Sequence, residues 1–181
     1  MSTTTTKQIT PDSTMEEVLE AYPGAKRALF RAYHIGGCSS CGYAPTDHLK
    51  DVLGTHGVEN VDEAITYLAQ CEESERKLLV EPKALEAQLK APNPPKLLDI
   101  RTPDEFAIAR IDGGRLVDQA LFNEMMSTWA KDTAIVCYCH VGERSLEAAS
   151  YMIGHGFTNV KSLAGGIDAW SEQVDKSVAQ Y

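Results

Sequence analysis

The sequence lacks any long apolar stretch, and this absence limits the classes of protein that it can encode. Nowhere in its 181 residues does an apolar run reach the roughly 18 residues that indicate a membrane-spanning helix. Its N-terminus, MSTTTTKQ, has no basic start followed by an apolar segment, so the sequence predicts neither a signal peptide nor a membrane partner. We therefore expect a cytoplasmic protein.

An excess of positive charge is also absent. The chain has 17 Lys and Arg residues against 26 Asp and Glu residues, which gives a formal net charge of −9. Nucleic acids and anionic membranes are bound by clustered basic side chains, so neither is expected as a partner. Apolar residues make up 43% of the chain and charged residues 24%, a composition typical of a globular protein.

Cysteine is scarce, and its number is odd. An odd count without an export signal argues against a framework of disulfides. Thiol chemistry or metal binding is the expected use of these side chains. The five cysteines are Cys38, Cys41, Cys71, Cys137 and Cys139.

The first part of the chain has helical patterning. We predict a disordered tail over residues 1–8 and a small all-helical domain over residues 9–73. Ser13 or Thr14, followed three residues later by a glutamate, is typical of a helix N-terminus. The second helix should end at Gly36 and Gly37, because glycine readily adopts the left-handed backbone found at helix ends.

Further helices are predicted over residues 46–56 and 60–70 of this domain. The charged residues from Cys71 to Lys77 either continue the last helix or form a flexible join.

Short apolar runs then alternate with helical stretches, from residue 77 to residue 181. This alternation predicts an α/β domain with a mainly parallel sheet that is covered by helices on both faces. The run AIVCY is nearly all apolar, as a central parallel strand should be. The predicted strands cover residues 78–80, 97–100, 115–117, 134–139 and 159–163.

Cys139 directly follows this central strand, and the next segment, from about Glu143, is helical. The cysteine therefore lies between the carboxyl end of a strand and the N-terminus of a helix, where ligands bind in open α/β sheets. A helix N-terminus presents unpaired N–H groups and a partial positive charge. Together with a cation such as Arg144, such a place can lower a cysteine pKa from about 8.5 to roughly 3.5–7.5. Gly142 would let the loop turn its amides towards an anion.

Four motifs, in order, resemble single-domain rhodaneses: EPKALEAQL, LLDIRTPDEF, VCYCHVGERS and LAGGIDAW. The resemblance covers about 100 residues and implies a five-stranded parallel sheet flanked by helices. It also implies a sulfurtransferase that needs no cofactor, with Cys139 carrying sulfur as a persulfide from a donor such as thiosulfate to cyanide, a thiol or a protein. The substrate-binding residues implied are His140, Val141, Gly142, Glu143, Arg144 and Ser145.

The chain departs from this family pattern at one place, where many members have Gly-His-Ile and this sequence has Ala-Arg-Ile from Ala109. We expect only local packing or substrate access to change there. Cys137 is interpreted as a buried apolar residue. The remaining motif residues are expected to be structural: Asp99, Arg101, Glu105, Gly165, Gly166 and Trp170.

A cysteine phosphatase or arsenate reductase is the nearest alternative enzyme, because it also uses a thiolate, an amide cradle and an arginine. Four residues separate Cys139 from Arg144, whereas a resemblance to those enzymes would require five. The other alternative is a metal-sensing or redox-sensing binding protein whose α/β domain recognises a ligand without turnover. The intact Cys139 favours the enzyme.

Cys38 and Cys41 form a Cys-x-x-Cys motif within the helical region. This segment resembles a small bacterial domain of unknown function, sometimes found near hybrid iron–sulfur cluster proteins. Two cysteines at this spacing can bind a metal or cluster, or form a redox disulfide. A partner-docking role and a relay of sulfur from Cys139 also remain open. The residues that could complete a zinc site are His34, His48, His56 and Cys71.

Overall fold

The computed structural model describes residues 8–36 and 42–181. The chain divides into two compact units, one ending at Lys77 and the other running from Leu78 to Tyr181. The domain boundaries predicted at residues 73 and 77 stay predictions. No helix within the described ranges is long and apolar enough to cross a membrane.

The first unit is built from helices packed around one apolar core. Large side chains of this core, including Met15, Leu29, Leu49 and Leu53, are fully buried. Burial of such side chains is the main stabilising contribution of a small helical unit. Its described helices are α1 (Met15–Ala21), α2 (Ala25–Tyr33), α3 (Leu49–Thr55) and α4 (Val61–Leu78).

The helix ends of this unit follow the sequence signals in one case and depart from them in another. Thr14 caps α1 and forms a reciprocal capping box with Glu17. At the end of α2, however, the residue with left-handed backbone is His34, with φ of 58°, rather than a glycine. Histidine is among the residues that tolerate this conformation. Gly36 also has a positive φ, and Gly37 lies outside the described residues.

The charged segment from Cys71 to Lys77 continues the last helix, so α4 extends well beyond the predicted end at residue 70. Its glutamates have partners along and beside the helix. Glu73 pairs with Lys77 one turn away, and Glu75 pairs with Arg27 on α2. Pairs spaced four residues apart favour a helix over a flexible join.

The second unit alternates strands and helices as the sequence predicts. The short strand β1 begins it, and the longest strands have four residues each. Its elements are β1 (Leu79–Val80), α5 (Pro82–Leu89), β2 (Lys96–Asp99), α6 (Pro103–Ile108), β3 (Arg115–Leu116), α7 (Gln119–Thr128), β4 (Ile135–Tyr138), α8 (Glu143–Gly154), β5 (Val160–Leu163) and α9 (Gly166–Gln173).

These strands form one parallel sheet in the order β1-β5-β4-β2-β3. Alternate residues of β4 enter different cores. Val136 and Tyr138 pack with α5 and α9, whereas Ile135 and Cys137 pack with α7 and α8. The predicted fold class is therefore confirmed, and β4 is the central strand with all four residues buried.

The N-terminus of α9 packs closely against the loop that follows β4. The amides of Ile167 and Asp168 donate to the carbonyl oxygens of Cys139 and His140, at 2.8 and 3.2 Å. Gly166, with φ of 63°, has no room for a side chain, because an added Cβ would meet the carbonyl oxygens of the same two residues within 2.5 Å. Only glycine fits here without moving the loop.

We predict that Gly166→Ala destabilises the second unit by at least about 2 kcal/mol, since alanine is strained at positive φ and would also displace backbone. Urea unfolding followed by tryptophan fluorescence measures this unit, because both tryptophans of the chain, Trp129 and Trp170, lie in it. Gly154→Ala is the matched control. Its added Cβ meets nothing within 4 Å, so it should stabilise the unit by about 0.5–1 kcal/mol. Equal effects of the two variants would contradict the prediction.

Candidate active site

Cys139 lies in the loop between β4 and α8, and its sulfur faces the N-terminus of that helix. The amide of Gly142 donates to Sγ at 3.1 Å, and the hydroxyl of Ser145 lies 3.5 Å from it. Gly142 precedes α8 with a φ of 97°, a conformation that an ordinary side chain would disfavour. Cys139 is only 1% exposed, so its Sγ is held in a sheltered position that favours an anion.

A second serine extends this contact into the sheet. Ser162 on β5 is buried, and its hydroxyl donates to Ser145 Oγ at 2.8 Å. The two hydroxyls and Cys139 Sγ therefore form a chain of buried polar groups. Ser162 was not among the predicted site residues, because a serine in the short strand Val160–Leu163, next to Lys161, gives no signal that it reaches the cysteine.

Cys137 lies two residues before Cys139, in the core between the sheet and α8. Burial, together with the nearby charge of Cys139, raises the pKa of the Cys137 thiol to about 12. A thiol with such a pKa stays protonated near neutral pH and is a poor nucleophile. Its surroundings agree with the interpretation as an apolar core residue.

Asp99 and Arg101 form a buried ion pair where β2 ends. Asp99 accepts from the Arg101 backbone amide, Nε and Nη2, and Arg101 Nη2 also donates to the carbonyl oxygen of Ala109. Burial opposes the charge of Arg101, but the hydrogen bonds and charge of Asp99 outweigh it and raise the pKa of the guanidinium. The bond to Ala109 joins the end of β2 to the Ala-Arg-Ile segment, where many family members have Gly-His-Ile.

Arg144, predicted to assist an anion, is paired with Glu105. Its two terminal nitrogens donate to the Glu105 carboxylate at 2.9 and 2.5 Å. This hydrogen bond is the main reason that the pKa of Arg144 is raised, and the charge of Cys139 contributes less. The Arg144 guanidinium therefore interacts electrostatically with Cys139, while its two terminal nitrogens are hydrogen-bonded to Glu105.

The other predicted substrate-binding residues differ in exposure. Val141 is 53% exposed, Glu143 is exposed in the first turn of α8, and His140 is half-buried. The His140 ring stacks on Tyr181, with ring centroids 4.5 Å apart and planes 10° from parallel. Sequence reasoning missed Tyr181, because no motif or spacing links it to the loop.

Cys38 and Cys41 lie outside the described residues, so the structure gives no geometry for the Cys-x-x-Cys motif. Of the residues suggested to complete a zinc site, His48 Nδ1 contacts the Asp12 carbonyl oxygen and His56 Nδ1 contacts that of Val52. Within residues 8–36 and 42–181, no three His, Cys, Asp or Glu side chains gather in a way that could hold a metal ion. The metal and redox alternatives stay predictions.

The comparison with protein families agrees with this geometry. The Rhodanese-like domain model matches residues 81–173, which include the cysteine loop and both helices that pack against it. The chain belongs to the rhodanese-like family. For the N-terminal unit, the resemblance to a small helical domain of unknown function stays a prediction.

Curated relatives of the rhodanese-like domain include named sulfurtransferases. Thiosulfate sulfurtransferase GlpE of Ectopseudomonas mendocina is 33% identical over 84 residues, which are 46% of this chain and 77% of that protein. Probable adenylyltransferase/sulfurtransferase MoeZ of Mycobacterium tuberculosis is 37% identical over 87 residues, 47% of this chain. The match spans about a fifth of MoeZ, 22% of its length.

Among solved structures, reduced Bacillus anthracis CoADR-RHD matches with a TM-score of 0.51 at 16% identity, covering 91% of this chain and 28% of that one. This similarity concerns the fold alone. Human single-domain sulfurtransferase TSTD1 matches with a TM-score of 0.46 at 23% identity, covering 53% of this chain and 96% of that one.

The Glu105–Arg144 pair predicts a pH dependence of stability. The hydrogen bond from Arg144 lowers the pKa of Glu105 from 4.5 to about 2. Because the folded-state pKa lies below the unfolded one, the pair stabilises the fold above about pH 4.5 and loses this contribution as the pH falls towards 2. Arg144 is 46% exposed, so screening should leave about 1 kcal/mol at pH 7.

We therefore expect Glu105→Gln to lower the free energy of unfolding by about 1 kcal/mol at pH 7, with the difference shrinking between pH 5 and pH 3. Urea unfolding of both proteins across this range measures it. Glu172→Gln, at an exposed position of α9, controls for the loss of one negative charge. A difference from wild type that stays constant with pH would contradict the assignment.

Proposed function

We propose that the protein is a cytoplasmic sulfurtransferase that carries sulfur as a persulfide on Cys139. In the first step, the Cys139 thiolate attacks the outer sulfur of a donor such as thiosulfate. The sulfur–sulfur bond of thiosulfate breaks, its electron pair leaves on sulfite, and Cys139 holds the transferred sulfur. In the second step, a cyanide, thiol or protein acceptor attacks that sulfur, and the electron pair of the persulfide bond returns to Cys139.

The observation that carries this proposal is the amide of Gly142 donating to Cys139 Sγ at 3.1 Å, at the N-terminus of α8. An N–H group and a helix N-terminus favour the anionic form of a thiol, and the thiolate is the nucleophile in sulfur transfer. The same groups would stabilise a terminal persulfide anion. Neither step draws on a cofactor.

The remaining loop residues have distinct proposed roles. The backbone amides from His140 to Ser145 would hold the persulfide and the oxyanion of the donor. The Ser145 hydroxyl accepts from Ser162 and lies 3.0 Å from the carbonyl oxygen of Gly142; turned from that oxygen to Sγ, its single proton would supply a further donor to sulfur. Arg144 would act through its charge, since its terminal nitrogens are paired with Glu105.

The name of GlpE supports thiosulfate as the first donor to test. That relative is a thiosulfate sulfurtransferase, and the chain covers 77% of it. MoeZ, whose name also includes a sulfurtransferase, is longer, and the match covers 22% of its length.

We predict that the purified protein gains one sulfur atom when it is held in excess thiosulfate, and that Cys139→Ala gains none. Intact mass spectrometry measures the gain, and a thiol should remove the added sulfur. Cys71→Ala is the matched control, because Cys71 is a free, half-buried cysteine of the other unit. That variant should gain sulfur as wild type does.

Two outcomes would contradict this proposal. Sulfur uptake by Cys139→Ala equal to that of wild type would place the carrier on another cysteine. No uptake by wild type, with either thiosulfate or mercaptopyruvate, would favour a ligand-binding role for the rhodanese-like domain.

We also propose that Cys38 and Cys41 reduce the Cys139 persulfide. Two thiols and the persulfide would yield a disulfide, a free Cys139 thiol and sulfide, so that atoms and electrons balance. The presence of a dithiol and a sulfur-carrying cysteine in one chain motivates this step. The metal-binding alternative for the same cysteines stays a prediction.

The expected result is that wild type in excess thiosulfate releases about one sulfide per chain before any thiol is added, and that Cys139 then keeps the next sulfur because the dithiol has been oxidised. A variant with both Cys38→Ser and Cys41→Ser should keep its sulfur until a thiol is added. Sulfide assay of the thiosulfate mixture measures the release, with Cys71→Ala as the control. The dithiol step would be contradicted if the double variant released as much sulfide as wild type and its turnover with every physiological thiol were unchanged.

A further inference from the structure

One guanidinium nitrogen of Arg101 has a different hydrogen-bond partner from the other two. Nε and Nη2 are held by Asp99, and Nη2 also reaches the carbonyl oxygen of Ala109. The third nitrogen, Nη1, donates to the hydroxyl of Tyr181 at 2.5 Å. The Arg101 side chain is wholly buried, so this phenol occupies the one direction in which Arg101 does not already bind its carboxylate or the backbone.

Tyr181 lies against the residue that follows the proposed sulfur carrier. Its ring stacks on His140, and its hydroxyl lies 3.4 Å from Glu105 Oε1, to which it donates. The phenol therefore bridges Arg101 and Glu105 at the edge of the cysteine loop.

Arg144 links this phenol to the sulfur. Glu105 Oε1 accepts hydrogen bonds from both Arg144 Nη2 and the Tyr181 hydroxyl, and the charge of Cys139 contributes to the raised pKa of the Arg144 guanidinium. Arg144 therefore shares a carboxylate with the phenol and interacts electrostatically with the sulfur. The phenol and Glu105 thus join Arg101 and Arg144 in one hydrogen-bonded network, which contacts the cysteine loop at His140.

The partners of the two arginines differ in charge. Arg144 and most of Arg101 hold carboxylates, whereas Arg101 Nη1 holds a neutral hydroxyl. An anion adds a charge–charge attraction to the guanidinium that a neutral phenol lacks, so an incoming anion displaces the phenol more readily than it displaces a carboxylate. Among the side chains that hold these two guanidiniums, Tyr181 is therefore the partner that an anion displaces most readily.

We propose that Arg101 Nη1 is a binding site for the oxyanion of the sulfur donor, that the Tyr181 hydroxyl occupies it at rest, and that Tyr181 thereby sets the preference between anionic and neutral donors. This inference rests on the proposed sulfurtransferase function. An anionic donor must break the Arg101–Tyr181 hydrogen bond, whereas a neutral donor leaves it intact. Arg101 also keeps its structural pairing with Asp99 throughout, because Nη1 takes no part in that pair.

Tyr181→Phe tests this inference, since it keeps the ring on His140 and removes only the hydroxyl. We expect the KM for thiosulfate to fall about fivefold, which corresponds to about 1 kcal/mol for one lost competing hydrogen bond. The kcat with thiosulfate, and the KM for a neutral donor such as dimethyl trisulfide, should not change. Tyr151→Phe is the matched control, because Tyr151 also stacks on a histidine, His155, on the exposed side of α8.

A binding measurement separates this inference from the proposed function. Calorimetric titration of thiosulfate into Cys139→Ala, with and without Tyr181→Phe, involves no sulfur transfer. We expect the second substitution to lower the Kd about fivefold. If wild type takes up no sulfur but the Kd still falls, the sulfurtransferase proposal fails and the anion site stands.

The opposite results would overturn the anion site. An unchanged Kd and KM in Tyr181→Phe would mean that the phenol does not compete with the donor. A raised Kd would mean that the hydroxyl contacts the anion itself. An absence of thiosulfate binding in both Cys139→Ala proteins would also exclude the site, and a changed preference in Tyr151→Phe would show that it is not specific to Tyr181.

Discussion

The close packing of Gly166 against the peptides of Cys139 and His140 is the constraint on which the cysteine loop depends. Because no side chain intervenes, the amides of Ile167 and Asp168 reach the two carbonyl oxygens. These carbonyls are held towards α9, and the loop can then turn the Gly142 amide towards Sγ. The sheet brings the cysteine to its carboxyl edge, but this glycine fixes the direction of the chain beyond it.

The groups that favour an anion at Cys139 belong to the backbone more than to side chains. The loop runs to the N-terminus of α8 and is held by amides at the N-terminus of α9, and helix N-termini favour anions. The two nearby guanidiniums are largely neutralised, because Arg101 pairs with Asp99 and Arg144 with Glu105. Fixed amides cannot move away from the sulfur, whereas an exposed arginine can. A site built in this way keeps its preference for a sulfur anion even when its arginine side chains have other partners.

The sequence predicted what depends on neighbouring residues and missed what depends on strand register and distant contacts. The apolar run before Cys139 and Gly142 after it was enough to predict a central strand, a loop and a helix. Ser162 reaches the site only because β5 pairs with β4 and sets it beside Cys137. The pairing of Arg144 with a residue 39 positions away had no local signal, and the continuation of α4 was left open because its charged residues fit either a helix or a join.

The length of the loop decides which side chain faces the sulfur. The helix begins at Glu143, and successive helical residues are rotated by about 100°, so Arg144 and Ser145 point in different directions. In this register Ser145 lies inward beside Sγ, and Arg144 reaches Glu105. One more residue between Cys139 and Arg144 would turn the arginine towards the place of the serine. A loop with four intervening residues therefore offers the cysteine a hydroxyl and amides, which suit a single sulfur, rather than the guanidinium fork that suits a phosphate.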